Sequence, residues 1–203
     1  MLFASVYLSL IHSGCASLGK DECLNADWFG IGYEDGAMGH KASHIADHRR
    51  ACAKYGVTPD FGAYDKGRRQ GLTEYCTPRN GYLSGANGSS YSGVCPKELE
   101  SAYLQAFDQG KAVYAYAQSI RRQDQALKKM YAELDSMDKD IRDKEAVMIS
   151  DQVSPRRRKA LLDEIRMREE DRRVLLDKIE GAEHAIADMR DYLEQMQTHH
   201  PYQ

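Results

Sequence analysis

The segment 111–150 reads KAVYAYAQSIRRQDQALKKMYAELDSMDKDIRDKEAVMIS. Most of its hydrophobic residues follow a heptad, with one position in every seven and a second position three residues later. The first set is Val113, Ile120, Leu127, Leu134, Ile141 and Met148, and the second is Tyr116, Gln123, Met130, Met137 and Lys144. This spacing predicts a long helix with a coiled-coil seam.

A second seam follows after a short break. Its two sets are Ile165, Arg172, Ile179, Ile186 and Leu193, and Leu161, Arg168, Leu175, Ala182, Met189 and Met196. Between the seams, Ser154 and Pro155 are typical of an N-cap followed by the first residue of a helix. We therefore expect an antiparallel hairpin over 111–198 with its turn at 151–156, in which facing residue numbers add to 309, as for Leu134 and Leu175. Parallel pairing with a second copy is the alternative.

The charge balance argues against a nucleic-acid-binding protein. The 203 residues carry 28 Lys and Arg against 31 Asp and Glu, a net charge of −3. Residues 1–110 carry 10 basic against 12 acidic residues, and residues 111–203 carry 18 against 19. Neither part has the excess of positive charge that binding to phosphate backbones requires. The second part is also too polar to span a membrane.

The first residues resemble an export signal. Residues 2–11 form an uncharged apolar run, which as a helix would cross only about half of a bilayer core. The following Ser13-Gly14-Cys15 resembles the lipobox of bacterial lipoproteins, in which the cysteine is acylated, for example with palmitate, and becomes the first residue of the mature chain. We therefore expect a signal peptide at 1–14, a lipid on Cys15 and a location on the periplasmic face of the outer membrane. Ordinary secretion and a cytosolic chain with a buried first helix are the alternatives.

Four further cysteines, Cys23, Cys52, Cys76 and Cys95, suit an exported protein with two disulfides. Four cysteines allow three pairings. A Cys76–Cys95 bond would close the Gly- and Ser-rich segment 77–94, which we expect to be irregular, and this leaves Cys23 to pair with Cys52. A four-cysteine zinc site is the alternative, but the sequence has no Cys-x-x-Cys pair.

The segment 15–110 is predicted to be a small helical head, stapled by these cysteines. Breaks at 39–41 and 56–59 divide residues 21–75 into three helices, with Ser43 as one N-cap. Three short motifs share an aromatic residue, an acid, any residue and glycine, and they begin at Tyr33, Tyr64 and Phe107. Glycine inside a helix is unfavourable by about 1 kcal/mol relative to alanine, so these glycines indicate close helix crossings. The fold class is thus all-α, a stapled head followed by a long hairpin.

From Cys15 to about Tyr116 the chain resembles the domain of unknown function 2799 family, which comprises small bacterial envelope lipoproteins. The matching motifs are Asp27-Trp28, Gly32–Gly36, His48-Arg49, Ala51-Cys52, Val57–Asp60, Tyr64, Gly67-Arg68, Gly71-Leu72, Tyr75–Thr77 and Gly93–Pro96. The resemblance supports the envelope address, the cysteines and the head boundaries. It implies no reaction mechanism.

The head contains one group of residues with chemical potential. His40, His44 and His48 recur at steps of four, with Asp47 beside the last, and this spacing could place zinc ligands on one helix face. A structural or solvent-facing row is the interpretation we favour, with no resident metal or cofactor. Arg49, Arg68 and Arg69, alongside Glu34 and Asp35, could form an anion pocket or a salt-bridge network, and we favour the network. The candidate ligand-binding residues are Trp28, Tyr33, His48, Arg49, Tyr64 and Arg68.

No nucleophile or phosphate-binding motif is evident, so we expect no catalytic residue and a non-enzymatic protein. The hairpin tip carries Arg156, Arg157 and Arg158, and such a basic run is usually a solvated turn. At the end of a long hairpin it could also contact anionic lipid, cell-wall polymer or an acidic protein surface. The expected function is structural or partner-binding through the hairpin, with an envelope protein or cell-wall polymer as partner and the chain a monomer or a coiled-coil oligomer. A small-ligand binding head is the alternative, and an enzyme is a third.

Overall fold

The computed structural model describes residues 18–202, and these form an all-α structure as predicted. Cys15 and the expected signal peptide at 1–14 lie outside the described residues. The seven α-helices of the described part are α1 (Lys20–Leu24), α2 (Trp28–Ala37), α3 (Ile45–Ala53), α4 (Phe61–Tyr75), α5 (Pro78–Ala86), α6 (Lys97–Met148) and α7 (Pro155–Thr198). Within residues 18–202 none of the helices is both long enough and apolar enough to cross a membrane.

The chain divides into two compact units. The first contains the described chain up to Asn80 together with Tyr91–Leu104, and the second contains Gly81–Ser90 together with the chain from Gln105 onward. Helix α6 contributes residues to both units. Helix α5 therefore belongs to the same unit as the hairpin, although it lies within the segment that we assigned to the head.

Helices α2 and α4 of the first unit cross at closely packed glycines, as the repeated motif predicts. Each glycine lies against a carbonyl oxygen of the opposite helix: Gly32 against Tyr64, Gly36 against Arg68, Gly67 against Phe29 and Gly71 against Tyr33. A side chain at any of these positions would overlap the facing backbone. The crossing brings one face of α2 directly onto one face of α4, and this fixes the positions of Asp35 and Tyr64.

Both predicted disulfides are present. Cys23–Cys52 links α1 to α3 with its Cα atoms 5.4 Å apart, and Cys76–Cys95 links the end of α4 to the residue before Pro96, with 5.7 Å between the Cα atoms. All four cysteines are buried. The first bond ties the short helix α1 to α3.

The segment 77–94 is not irregular throughout, which corrects the sequence prediction. Helix α5 lies within it and buries Tyr82 in the second unit. The helix was missed because glycines, rather than a periodic row of large apolar residues, form its packing face. Gly85 lies against the carbonyl of Phe107 on α6, and Gly110 lies against that of Tyr82.

The α2–α4 and α5–α6 crossings follow one rule. In both crossings, each glycine lies against the backbone carbonyl of the residue that comes three positions before a crossing glycine of the partner helix. Gly32, for example, lies against the carbonyl of Tyr64, three residues before Gly67. Both α2 and α5 also end one residue after a crossing glycine, and the turn that follows contains a glycine with positive φ, Gly39 at 76° and Gly88 at 74°. Each of these turns is covered by a tyrosine ring, Tyr75 over Gly39 and Tyr114 over Gly88. The same helix pair thus occurs once in each unit.

Another correction concerns the number of helices before Cys76. Four helices, not three, precede Cys76, because the short α1 forms separately from α2. Ser43 is not an N-cap, since it lies inside a 3₁₀ turn, Ala42–His44, that leads into α3. His40 precedes this turn and His44 is its last residue, so only His48 of the three histidines lies within α3.

Helices α6 and α7 form the predicted antiparallel hairpin over 111–198. Every predicted seam position of α7 is buried or half-buried, and so is every predicted position of α6 except the exposed Gln123. Ser154 caps α7 by accepting a hydrogen bond from the Arg157 N–H at 3.3 Å, and Pro155 is the first residue of the helix. The connection between Met148 and Pro155 is close to the predicted turn.

Contacts across the hairpin support the predicted register. Arg190 donates to Asp124 at 2.7 Å, and Tyr131 donates to Glu183 at 2.6 Å. In the predicted pairing, Ile120 faces Met189 and Leu127 faces Ala182. Asp124 and Tyr131 each come four residues after one of these α6 seam positions. Arg190 and Glu183 each come one residue after the α7 seam position that faces it. These are equivalent flanking positions of the heptad, where interhelical polar pairs are expected.

Candidate functional site

The first unit contains a cavity of about 970 Å³, which is lined by α1, α2, α3 and their connections. Its apolar wall includes Leu18, Ile31 and Met38, and its polar wall is made of acidic residues and the three histidines of the sequence motif. Such a combination of apolar walls and a few convergent polar groups is typical of ligand sites. We call Asp35, His40, His44, His48, Tyr64 and Arg68 the polar cluster.

Asp35 is the centre of the polar cluster. It lies on the buried face of α2, where only 4% of its surface is exposed. One carboxylate oxygen, Oδ2, accepts a hydrogen bond from the Tyr64 hydroxyl at 2.6 Å and lies 2.9 Å from His48 Nε2. The second oxygen, Oδ1, lies 3.8 Å from His44 Nε2. A carboxylate buried to this degree needs such partners, because its transfer from water is otherwise strongly unfavourable.

Tyr64 reaches Asp35 from α4 across the glycine crossing. Its side chain is completely buried, and burial raises the pKa of Tyr64 well above its usual range. The hydrogen bond to Asp35 and the negative charge of that carboxylate raise the pKa further. The phenol is therefore protonated at physiological pH and acts as a fixed hydrogen-bond donor to Asp35.

The three histidines form a row beside Asp35. The rings of His40 and His44 are stacked with 4.3 Å between centroids, and the ring of His48 meets that of His44 edge-on at 5.0 Å. Asp47 lies on the other side of His44, with 2.8 Å between its Oδ2 and His44 Nδ1. Ligand atoms of Asp35, His40 and His44 all lie within 4.8 Å of one another, so these residues could hold a metal ion.

Arg68 supports the row from α4. Its guanidinium is largely buried, and its Nε donates a hydrogen bond of 2.8 Å to the backbone carbonyl of His40. Arg68 comes one helical turn after Tyr64, so both side chains extend from the same face of α4. The glycine crossing thus places an arginine and a tyrosine against the segment that carries the histidines.

The structure brings together some of the predicted binding residues and not others. His48, Tyr64 and Arg68 meet in the polar cluster. The described residues that line the cavity do not include Trp28, Tyr33 or Arg49. Trp28 and Tyr33 are half-buried on α2, and Arg49 is exposed on α3.

The expected salt-bridge network is wrong in its partners. Asp35 pairs with His48 and Tyr64 rather than with an arginine, and Arg69 pairs with Asp65 at 2.7 Å on the same helix. Sequence reasoning missed Asp35 as a member of the histidine site because its partners lie 13 and 29 residues away. The glycine motifs were the available signal, since they predict the crossing that joins them.

Comparison of the two glycine crossings shows that packing does not require the polar cluster. The turn after α2 and the turn after α5 have the same backbone hydrogen bonds, from His40 N to Asp35 O at 2.8 Å and from Ser89 N to Ser84 O at 3.0 Å. Ser84 and Ser89 therefore occupy the positions of Asp35 and His40. The same helix crossing and turn form without an acid or a histidine at either position, so the crossing does not require these two residues.

The hairpin tip forms a second, chemically different surface. Arg157 pairs with Glu164 at 3.0 Å, and Arg158 donates to the backbone carbonyl of Ser150 at 3.2 Å. Arg156 is exposed and has no ion-pair partner within residues 18–202. Ile149, in the connection between the helices, is 77% exposed. The tip thus presents cationic and apolar groups together.

Comparison with known proteins finds one family model that is similar to the head. Residues 27–112 match the model of a family described as "Protein of unknown function (DUF2799)". This match confirms the resemblance read from the sequence, and it includes the whole of the polar cluster. No curated protein and no solved structure matches the chain.

Proposed function

We propose that the protein is a non-enzymatic bacterial envelope lipoprotein, held at the periplasmic face of the outer membrane by a lipid on Cys15, and that it binds a partner through its hairpin. The observation that carries this proposal is the construction of the hairpin. Its seam is filled by the two helices of the same chain, so its outer faces and tip are available to another molecule.

Exposed apolar side chains near the tip support binding there. They include Val147, Ile149, Leu162 and Met167. Met167 is 71% exposed on α7, between charged residues. Single exposed apolar residues are common on soluble proteins, but apolar residues near a cationic tip suit a partner with an anionic, partly apolar surface.

The chemistry of the tip favours an anionic partner. Arg156, Arg157, Arg158 and Lys159 are consecutive and all are exposed. An acidic envelope protein or an anionic cell-wall polymer would satisfy these charges, and attraction between opposite charges would also accelerate the encounter.

Site-specific crosslinking in intact cells tests this proposal. A photoreactive residue at Arg156 should give a crosslinked product of higher mass, and the same residue at the exposed Lys178, in the middle of α7, serves as the matched control. Substitution of Arg157 and Arg158 by Glu should reduce the Arg156 product. The proposal of partner binding through the tip is wrong if the yield of crosslinked product at position 156 is no higher than at position 178. It is also wrong if the charge reversal leaves the yield at position 156 unchanged.

A second function, binding of a small ligand by the head, is favoured by the cavity and its buried carboxylate. Asp35 is held by two hydrogen bonds on one oxygen and directs the other toward the histidine row.

A further inference from the structure

We infer that Asp35, His40 and His44 form a binding site for a divalent transition-metal ion of the zinc type. This inference specifies the ligand of the head-binding proposal and does not depend on the hairpin.

The separations of the ligand atoms suit one ion. Asp35 Oδ1 lies 3.8 Å from His44 Nε2, and the ligand atoms of all three residues lie within 4.8 Å of one another. Zinc binds histidine nitrogen and carboxylate oxygen at about 2.0–2.2 Å, so neighbouring ligand atoms of a tetrahedral site are about 3.4 Å apart. Asp35 Oδ1 and His44 Nε2 would have to approach by about 0.4 Å, and a pair at the 4.8 Å limit by about 1.4 Å, which rotation of the side chains could supply.

A contact at Nδ1 of His44 orients the ring so that Nε2 can coordinate a metal ion. Asp47 Oδ2 lies 2.8 Å from His44 Nδ1 and can accept the ring proton there, which leaves a lone pair on Nε2. A carboxylate that holds the remote nitrogen of a histidine is a frequent arrangement around metal ligands, because it fixes the ring and strengthens the donor. Nε2 then faces Asp35 Oδ1.

Asp35 is oriented in a similar way. The Tyr64 hydroxyl and His48 Nε2 both contact Oδ2, so Oδ1 is the oxygen directed to His44. With a neutral His44, two electron-rich atoms would face each other. A cation between them removes this repulsion. A proton on His44 Nε2 would do the same, and this is the rival explanation that the experiment must separate.

His40 completes the site from the turn after α2. Arg68 holds the backbone carbonyl of His40. The rings of His40 and His44 are stacked, and because nitrogen lone pairs lie in the ring plane, coordination of one ion would turn one of these rings out of the stack. Two imidazoles and one carboxylate favour zinc, copper or nickel over magnesium or calcium, which prefer oxygen ligands alone. Three protein ligands would leave a further coordination position open to the cavity.

The second glycine crossing provides an internal comparison. It has Ser84 and Ser89 where the first has Asp35 and His40, with the same backbone turn. A metal site is therefore expected in the first unit alone, although the two crossings are built alike.

Titration of the purified full chain with Zn²⁺ tests the inference. The protein is extracted in detergent, stripped with a chelator and studied by isothermal titration calorimetry, with bound metal counted by elemental analysis. We expect one Zn²⁺ per chain. Asp47→Asn, which replaces the carboxylate that holds His44 Nδ1, should weaken Zn²⁺ binding by about 10- to 100-fold. The double variant His40→Ala with His44→Ala should weaken it more. His44 has 31% of its side chain exposed, so its removal should leave the fold intact, which circular dichroism and intact disulfides verify.

Two controls separate this site from other histidines. His184→Ala on α7, and His199→Ala with His200→Ala after α7, should leave Zn²⁺ affinity unchanged. The inference is wrong if the wild-type chain takes up no Zn²⁺, if the His40 and His44 double variant binds as tightly as the wild type, or if the His199 and His200 variant loses the binding. Uptake of a hydrophobic fluorescent dye by the cavity, without Zn²⁺ binding, would exclude the metal and leave the head-binding proposal in place.

Discussion

The burial of Asp35 is the feature of the head that requires explanation at the scale of single residues. A carboxylate is rarely buried without a partner, because loss of hydration disfavours its charge. Here Tyr64 and His48 contact the same oxygen, and Arg68 is largely buried in the same cluster. These groups stabilise the carboxylate, and they also hold it in one orientation toward His44.

Removal of the Tyr64 hydroxyl should therefore destabilise the head. Tyr64→Phe keeps the ring but takes one hydrogen bond from a buried carboxylate, which should reduce the free energy of unfolding by about 1–3 kcal/mol. The measurement is urea unfolding followed by circular dichroism. Tyr33→Phe is the matched control, since Tyr33 is half-buried on α2, outside the polar cluster. Equal stability of both variants would contradict the role given to the Tyr64–Asp35 bond.

A methyl group at the glycine crossing should be more disruptive than one elsewhere on the same helix. Gly67→Ala would place Cβ into the carbonyl of Phe29, so we expect a loss of several kcal/mol, similar to other overpacked core sites. Gly62→Ala on the same helix meets nothing nearer than Asp60 Oδ1 at 3.4 Å and should stabilise the helix by up to about 1 kcal/mol. Thermal unfolding compares the two. Similar effects would mean that the crossing tolerates a wider spacing.

At the scale of elements, the basic residues in the hairpin seam are paired with acidic residues, two of them across the two helices. Arg168 donates to Asp140 at 3.1 Å, and Arg172 donates to Asp138. Lys144 pairs with Asp140 on the same helix, and its hydrogen bond, together with that of Arg168, holds the pKa of Asp140 below its usual range. The seam near the tip is therefore closed by ion pairs where it lacks apolar residues, and exposed pairs of this kind stabilise only weakly.

The hairpin register predicts which engineered cysteines can bond. Leu134→Cys with Leu175→Cys should give a disulfide within one chain under mild oxidation, since these positions face each other. Leu134→Cys with Ile186→Cys should not, because Ile186 lies about three helical turns further along α7. Mass and mobility on non-reducing gels give the result. A product of twice the chain mass through position 134, without the intrachain bond, would indicate parallel pairing of two copies.

The elements that could be predicted from the sequence were those with a periodic apolar signal. Heptads persist through α6 and α7, so both seams and their pairing followed from the spacing. Helix α5 could not be found this way, because Gly81 and Gly85 give its packing face no apolar stripe. In the candidate site, the histidine row was visible in the sequence. Its meeting with Asp35 was not, since it depends on the tertiary contact between α2 and α4.

At the scale of the whole molecule, the two units repeat one helix crossing but differ in chemistry. The crossing in the first unit carries Asp35, Tyr64 and Arg68, whereas the second unit has Ser84 in the place of Asp35 and continues into the hairpin. We therefore propose separate tasks, a ligand site in the head and a partner surface on the hairpin. The net charge of −3 is small, so we expect the proposed recognition by the hairpin to depend on local groups at its tip.

Metabolic labelling with an alkyne fatty acid tests most directly whether the protein is a lipid-anchored component of the envelope. The wild-type chain should take up the label and fractionate with the outer membrane. Cys15→Ser should abolish the label and release the chain from that fraction, while Cys23–Cys52 and Cys76–Cys95 still form in both proteins. An unlabelled wild type that fractionates in the same way as Cys15→Ser would contradict the lipoprotein proposal.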